Sequence, residues 1–202
     1  MVLFLMSSFL GKSVKAQDSI PAQNKQIAAA VSAAPPNMQE GAKVLGYIQK
    51  GELVTLREGS NKMICLADDP NQQQFHVACY YEGLDPFMRR GRELRAQGLS
   101  RSKVDSIRQV EIEADELEYP QRPMGLYSLS GPKGAYDYET GTVQEASPLY
   151  VVYIPYATEE STGISTAPAQ EGGSWLMEPG TPWAHIMYPG RPISADTSGT
   201  GN

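Results

Sequence analysis

The chain has 202 residues, of which 41% are hydrophobic, so it is long enough to form one domain with a substantial core. Its formal net charge is −6 at pH 7. Because an acidic chain repels phosphate groups, this charge excludes general binding to nucleic acid or anionic lipid from the expected functions.

The first 16 residues have the pattern of a signal peptide. Residues 2–10 form an apolar run that is too short to span a bilayer, and Val14 and Ala16 suit cleavage before Gln17. No Lys or Arg precedes this run, so either the true translation start lies upstream of Met1 or the signal peptide is atypical. We predict that residues 1–16 are removed and that the mature chain is secreted, periplasmic or attached to the cell surface.

The mature chain is predicted to have no transmembrane span. None of its segments approaches 18 consecutive apolar residues. Loss of Lys12 and Lys15 with the signal peptide leaves 15 basic and 23 acidic residues, which is a net charge of −8.

Residues 17–36 are predicted to form an N-terminal helix and a linker, ahead of one domain at residues 37–190. Residues 23–34 are rich in alanine and end at Pro35 and Pro36, which cannot continue a helix. Residues 43–48 and 52–57 have the composition of strands, with a turn at Gly51 between them. Together with the next two strands they predict a four-stranded meander.

Residues 62–81 contain both cysteines and one of the two histidines, and they predict a β-hairpin. Two apolar runs, residues 63–67 and 75–81, flank a turn-forming Asp-Asp-Pro-Asn segment. With the turn centred on Gln72, paired residue numbers sum to 144, so Cys65 lies opposite Cys79. Both faces of the hairpin are apolar, which places it in the middle of the fold, covered on both sides.

The opposed cysteines predict a disulfide. Directly opposed residues of an antiparallel pair have Cα atoms close enough for a disulfide bond. An exported protein meets an oxidising compartment, where such bonds persist. The alternative is a pair of reduced cysteines in the core, because free cysteine is often buried.

Two helices are predicted between residues 85 and 118. In the first, Asp85 is the cap, Pro86 follows it, and Gly98 ends the helix. The second is predicted to begin at a Ser102 cap and to stop before Pro120. Its expected apolar face consists of Val104, Ile107, Val110 and Ala114.

These two helices carry seven basic residues, followed by five acidic ones. One interpretation is an anion-binding patch for a glycan, a phosphate or an acidic partner. The other, which we favour, is two solvated helix faces with ion pairs at helical spacing. The expected pairs are Arg89 or Arg90 with Glu93, and Arg101 or Arg108 with Asp105.

The C-terminal half returns to strands. Residues 124–129 and 149–156 are apolar and rich in Tyr and Val, and a turn-forming segment at residues 136–141 separates them. Asp137 and Glu139 raise calcium as an alternative, but the spaced oxygen ligands of a calcium loop are absent from this sequence. Residues 175–177 and 183–188 predict a second hairpin, and residues 191–202 predict a disordered tail.

Residues 157–173 form a long polar segment with no regular pattern. Loops of this length are uncommon in compact domains unless they bind or cover something. We therefore predict a binding surface at this loop and at the nearby side chains of Trp175, Trp183 and His185. Alternation places Trp183, His185 and Met187 on one face of a strand. The expected partner is an unidentified protein or small ligand.

No motif of a familiar enzyme class is present in the sequence, so we name no catalytic residue, cofactor or metal ligand. The patterns G-x-S-x-G, G-x-x-x-x-G-K-[ST], G-x-G-x-x-G and H-E-x-x-H are all missing. His76 is expected to contact Asp68 across the hairpin, and His185 to be partly buried with a local partner. Two alternatives stay open: a zinc site of both histidines with Glu178 or Asp68, and a hydrolase-type enzyme in which His185 acts with a carboxylate.

Part of the chain resembles exported bacterial proteins of uncharacterised function. The resemblance rests on residues 27–35, IAAAVSAAP, on residues 53–61, LVTLREGSN, and on the Cys65 and Cys79 that follow. It covers residues 23–79 and implies export, with no assigned activity.

The combined expectation is a single α+β domain with a mostly antiparallel sheet and two inserted helices. We expect an exported, disulfide-stabilised protein that is a non-catalytic binding or interaction module, with the hydrolase-type enzyme as the alternative.

Overall fold

The computed structural model describes residues 20–194, which fold as the predicted α+β domain. The helices are α1 (Gln23–Val31), α2 (Pro36–Gln39), α3 (Asp85–Ala96), α4 (Arg101–Glu113) and α5 (Glu159–Thr162). The strands are β1 (Lys43–Gln49), β2 (Glu52–Arg57), β3 (Met63–Leu66), β4 (Gln74–Tyr81), β5 (Met124–Pro132), β6 (Tyr136–Asp137), β7 (Thr142–Val143), β8 (Ser147–Tyr153), β9 (Trp175–Met177) and β10 (His185–Pro189). Eight strands form one sheet in the order β2-β1-β3-β4-β5-β8-β10-β9, and β6 pairs with β7.

The prediction of a four-stranded meander is wrong, because β1 pairs with β3 in parallel. The segment after β2 crosses the start of β1, where the backbone N–H groups of Ser60 and Asn61 donate to the Gly41 carbonyl at 2.8 and 3.0 Å. Gly59 passes so close to this strand that a Cβ atom there would lie 2.7 Å from the Lys43 nitrogen. This crossing carries β3 to the side of β1 that β2 leaves open.

The central hairpin is confirmed with the predicted register. Cys65 pairs with Cys79 in the ladder of β3 and β4, and the two cysteines form a disulfide with their Cα atoms 4.0 Å apart. Both residues are fully buried. β3 and β4 are the third and fourth of eight strands, so the disulfide lies in the middle of the sheet.

The side chains of β3 and β4 alternate between two cores. On one side, here called the disulfide face, α1 packs over Cys65 and Cys79 through Ala29 and Ala30, which are fully buried. On the other side, here called the helical face, α3 and α4 cover the sheet. The helix predicted ahead of residue 37 therefore shares a core with the sheet. The helical-face core consists of Ile64, Tyr80, Leu84, Phe87, Ile112, Tyr119, Met124 and Trp183.

Both inserted helices are present, but Asp85 is the first residue of α3 and not its cap, which is Leu84. The start and the faces of α4 also differ from the prediction. Its cap is Ser100, not Ser102, and the Ser100 hydroxyl accepts a hydrogen bond from the backbone N–H of Lys103 at 3.4 Å. Val110, expected on the apolar face, is 64% exposed, and Ala114 is exposed as well.

The buried side of α4 is instead formed by Val104, Arg108 and Ile112. Arg108 can occupy an interior position because its guanidinium lies 3.7 Å from the centre of the Phe87 ring and pairs with Asp105 at 2.5 Å. The prediction for α4 missed Arg108 because it assigned only apolar residues to the buried side of the helix.

The ion pairs expected along α3 and α4 are confirmed at three positions. Arg90 lies 3.5 Å from Glu93, Arg101 forms an ion pair with Asp105 at 3.8 Å, and Arg108 donates a hydrogen bond to Asp105 at 2.5 Å. Arg90 also joins the two helices, since its Nε donates to both oxygens of Glu111 at 3.0 and 2.9 Å.

Two predictions for the C-terminal part need correction. The segment 157–173 contains α5, because Thr158 and Ser161 form a reciprocal capping box at its start. Residues 191–194 of the predicted disordered tail are described, and Ile193 forms an antiparallel bridge with Ala146. The rest of that tail, residues 195–202, and the predicted signal peptide, residues 1–16, lie outside the described residues.

Between residues 20 and 194, no helix has the length and apolar character needed to cross a membrane.

Removal of the disulfide should destabilise the domain strongly. We expect the double variant Cys65→Ala, Cys79→Ala to unfold with a free energy about 3 kcal/mol lower than the oxidised protein, because the bond closes a loop of about 15 residues in the unfolded chain. Urea unfolding of both proteins measures this difference. Equal unfolding free energies would contradict a stabilising role for the bond.

Candidate binding surface

The disulfide face of the sheet is covered at both ends and open between them. At one end, α1 packs over β1, β3 and β4. At the other end, Ala157 and Ile164 pack with Leu176 of β9 and Ile186 of β10. The strands between these covers are β5 and β8, together with the outer part of β10. The Leu129 end of β5 is covered as well, because Leu129 packs with Tyr136 and Ala146. The open strip is therefore the part of this face around Tyr150 and Tyr188, with the half-buried Tyr127 at its edge.

Three tyrosines occupy this open strip side by side. Tyr127 pairs with Tyr150, and Tyr150 pairs with Tyr188, so the three lie in one row across β5, β8 and β10. Tyr127 also pairs with Cys79, which places the row on the disulfide face. Tyr150 is 44% exposed and Tyr188 is 39% exposed. The rings of Tyr127 and Tyr150 are 5.5 Å apart and nearly perpendicular.

A small cleft adjoins this row. It has a volume of about 220 Å³ and lies over Gly125, two residues before Tyr127 on the same strand. A Cβ atom at Gly125 would have only one atom of another side chain within 4 Å, Cε2 of Tyr127 at 3.9 Å. The missing side chain of Gly125 therefore leaves room for a ligand. The cleft is lined by Met38, Met63, Tyr81, Arg122, Pro123, Met124, Gly125 and Tyr127. We call the tyrosine row and this cleft together the tyrosine trough.

The rim of the trough carries two positive charges. Arg122 is exposed, and no carboxylate of the described residues lies within ion-pair distance of it. Lys62 lies 5.9 Å from the centre of the Tyr81 ring and is paired with Glu82 at 2.8 Å. Arg122 is therefore the cation that is available to a ligand at this rim.

A second and larger cleft, of about 590 Å³, shares Arg122 and Met124 with the trough but opens beside the end of α4. Its other lining residues are Gly83, Ile112, Asp115, Leu117, Glu118, Tyr119, Pro120 and Gln121. The Tyr119 hydroxyl is buried and has no hydrogen-bond partner among the described residues, and burial raises the pKa of Tyr119 well above its usual value. The hydroxyl is therefore protonated across the physiological range.

Trp175, Trp183 and His185 lie on the helical side of the sheet, but Trp183 is buried there and cannot contribute to a binding surface. Trp183 is only 6% exposed, and its ring lies 5.6 Å from that of Phe87 in the helical-face core. Trp175 pairs with Met187 and therefore shares the face of His185, which is opposite to the tyrosine row.

The surroundings of His185 are those of a locally satisfied histidine. Its Nδ1 lies 2.8 Å from the Trp183 carbonyl oxygen and donates to it, and its ring packs 5.1 Å from Tyr153. Burial lowers the pKa of His185, so the ring is neutral at pH 7. No carboxylate of the described residues is hydrogen-bonded to this imidazole.

His76 contacts Asp68, but through its backbone and not through its ring. The His76 backbone N–H donates to Asp68 at 2.8 Å, while the ring Nδ1 lies 2.8 Å from the Ser130 hydroxyl. The expectation of a side-chain contact with Asp68 is wrong because His76 pairs with Ser130 in the next strand.

Within residues 20–194, no three His, Cys, Asp or Glu side chains group as possible metal ligands.

Comparisons with protein-family models, with curated proteins and with solved structures found no match to this chain.

The sequence analysis did not predict the tyrosine trough. Each of the three strands contains a tyrosine, and Gly125 is unusual inside a strand. What places these residues together is the pairing of β5 with β8 and of β8 with β10.

Asp68 should make the stability of the domain depend on pH. Burial, and next the charge of Asp69, raise the pKa of Asp68 from 3.8 to about 6, against the opposing hydrogen bond from His76. The folded state therefore binds a proton at the Asp68 carboxyl more tightly than the unfolded state does. The stability that this protonation contributes is lost as pH rises from about 4 to about 6. Asp68→Asn should therefore raise the free energy of unfolding by about 1 kcal/mol at pH 7 and hardly change it at pH 4. Urea unfolding at both pH values measures this, and an effect of equal size at both would contradict it.

Tyr119→Phe should stabilise the protein. A buried hydroxyl without a partner costs about 1 kcal/mol or more, and phenylalanine keeps the ring that packs 5.0 Å from Phe87. We expect a higher melting temperature and a free energy of unfolding raised by about 1 kcal/mol. A destabilised variant would instead show that the hydroxyl has a partner in solution.

Proposed function

We propose that this protein is an exported, disulfide-stabilised binding module without catalytic activity, and that the tyrosine trough is where its ligand binds. The observation that carries the proposal is the open strip of the disulfide face, in which Tyr127, Tyr150 and Tyr188 stand side by side. Two of these rings, Tyr150 and Tyr188, are exposed, and Tyr127 also lines the adjoining cleft, so a ligand could contact the cleft and the rings together.

The composition of the trough suits binding. Tyrosine provides a large contact area with only two side-chain torsions, so little conformational entropy is lost when a ligand orders it. Tyr150 and Tyr188 are exposed, although contiguous apolar surface is costly to leave in water.

Export is supported by three features of different kinds. The sequence of residues 1–16 has the pattern of a signal peptide, and the resemblance over residues 23–79 is to exported proteins. The Cys65–Cys79 disulfide is compatible with an oxidising compartment, because cytosolic proteins rarely keep such bonds.

The geometry around His185 does not favour the hydrolase-type alternative. A general base needs a nucleophile within reach and an acid that orients the ring. Among the described residues, the His185 ring is hydrogen-bonded to the Trp183 carbonyl alone, and it packs on Tyr153. The trough itself is lined by Met, Tyr, Pro, Gly and Arg, which supply no base of this kind.

Gly125→Val tests the location of the binding surface. Valine would fill the cleft without a clash at Cβ, and it favours the strand conformation, so the free energy of unfolding should stay the same or rise by up to about 1 kcal/mol. Fluorescently labelled wild-type protein should bind members of a combined glycan and peptide array, and Gly125→Val should reduce those signals at least about 10-fold.

The matched control is Ser147→Val, which adds the same side chain at an exposed position on the opposite face of the sheet. It should bind like the wild type. Equal binding by Gly125→Val, or no array member bound by the wild type, would overturn the proposal.

A further inference from the structure

We propose that the ligand of the tyrosine trough is an extended acidic peptide, which inserts one apolar side chain over Gly125 and places a neighbouring carboxylate against Arg122. This inference rests on the proposed function and names the chemical class of its ligand.

The cleft over Gly125 is suited to an apolar side chain. Met38, Met63, Pro123 and the rings of Tyr81 and Tyr127 form its walls. Methionine is flexible and polarisable, so it adapts to side chains of different shape. The volume of about 220 Å³ is below the range of typical sites for whole small molecules, which begins at about 300 Å³. A single anchoring side chain is a better match in size.

The same walls disfavour a sugar. A sugar ring buried in this cleft would need hydrogen-bond partners for its hydroxyl groups, and an unpaired buried hydroxyl costs about 1 to 3 kcal/mol. The two tyrosines of the row that are in ring contact, Tyr127 and Tyr150, are nearly perpendicular, so they do not form the flat platform on which a sugar stacks.

Charge complementarity points to an acidic group beside the anchor. The full chain has a net charge of −6, and Asp115 and Glu118 line the neighbouring cleft, so an acidic ligand needs a specific cation to hold it here. Arg122 supplies that cation because it lines the cleft over Gly125 and has no carboxylate of the described residues within ion-pair distance. A guanidinium binds a carboxylate with two parallel hydrogen bonds, which adds specificity as well as attraction.

The tyrosine row favours an extended chain. Three adjacent strands are about 10 Å across, which is the length of about three residues of an extended peptide. The hydroxyls of Tyr127, Tyr150 and Tyr188 hold no hydrogen bond to another described residue. They are therefore free to pair with peptide carbonyl and N–H groups along the row.

The experiment uses the full oxidised protein and fluorescein-labelled hexapeptides of Gly and Ser that carry one Phe and one Asp at varied spacing. Two matched sets replace Asp with Asn or Phe with Ser, and cellohexaose is the carbohydrate probe. Fluorescence polarisation measures the peptides, and calorimetry measures the sugar. At the best spacing, the Asp-Phe peptide should bind at least about 10-fold more tightly than either matched peptide.

Arg122→Gln should weaken the Asp-Phe peptide about 10-fold and leave the Asn-Phe peptide unchanged, because the variant removes only the charged partner. Gly125→Val should weaken both peptides. The control is Arg89→Gln, which removes an exposed arginine from α3 on the opposite face of the sheet and should change neither affinity.

The outcomes separate this inference from the proposed function. If Arg122→Gln weakens both peptides equally, or if Gly125→Val has no effect on them, the peptide inference is wrong. If cellohexaose binds, is lost in Gly125→Val, and the peptides do not bind, the trough is a binding site but its ligand is not a peptide. If the peptides do not bind, or if they bind in a manner that Gly125→Val does not reduce, the peptide inference fails whatever cellohexaose does. The proposed function fails only if the array also shows no binding that Gly125→Val reduces.

Discussion

The pairing of Cys65 with Cys79 is the constraint on which the rest of the fold depends. Side chains alternate along a strand with a period of two, so a slip of one residue between β3 and β4 would exchange the two faces of the sheet. The disulfide forbids that slip, because only the observed register brings the two sulfurs together. It therefore decides which side chains meet α1 and which meet α3 and α4.

The same register also sets the position of the tyrosine trough. One transverse row of the sheet runs from Cys65 and Cys79 through Tyr127 and Tyr150 to Tyr188. An eight-stranded sheet is about 34 Å wide, whereas the nine residues of α1 are about 13 Å long. A helix of that length covers the cysteines, with Tyr127 at the edge of their core, and leaves Tyr150 and Tyr188 exposed. The open strip follows from this mismatch in size.

Two arginines illustrate how the surroundings decide the role of a residue. Arg108 is buried against Phe87 with Asp105 as its partner, so its charge is used to join α3 and α4. Arg122 is exposed beside an apolar cleft and has no such partner among the described residues. Arg108 therefore stabilises the fold, and Arg122 is available to bind a ligand. The sequence alone does not distinguish these roles, because both residues count equally as basic side chains.

By itself, the sequence determined the local parts of this protein: the disulfide hairpin, the two inserted helices, the hairpin of β9 and β10, and the α+β class. These depend on turn residues, caps and side-chain periodicity, which act over a few residues. Only the tertiary structure decided that β1 lies parallel to β3, that Trp183 is buried, and that Tyr127, Tyr150 and Tyr188 stand in one row. The pairing of strands that are distant in the chain depends on how the helices and strands of the whole domain pack against each other. No short segment of the sequence contains that information.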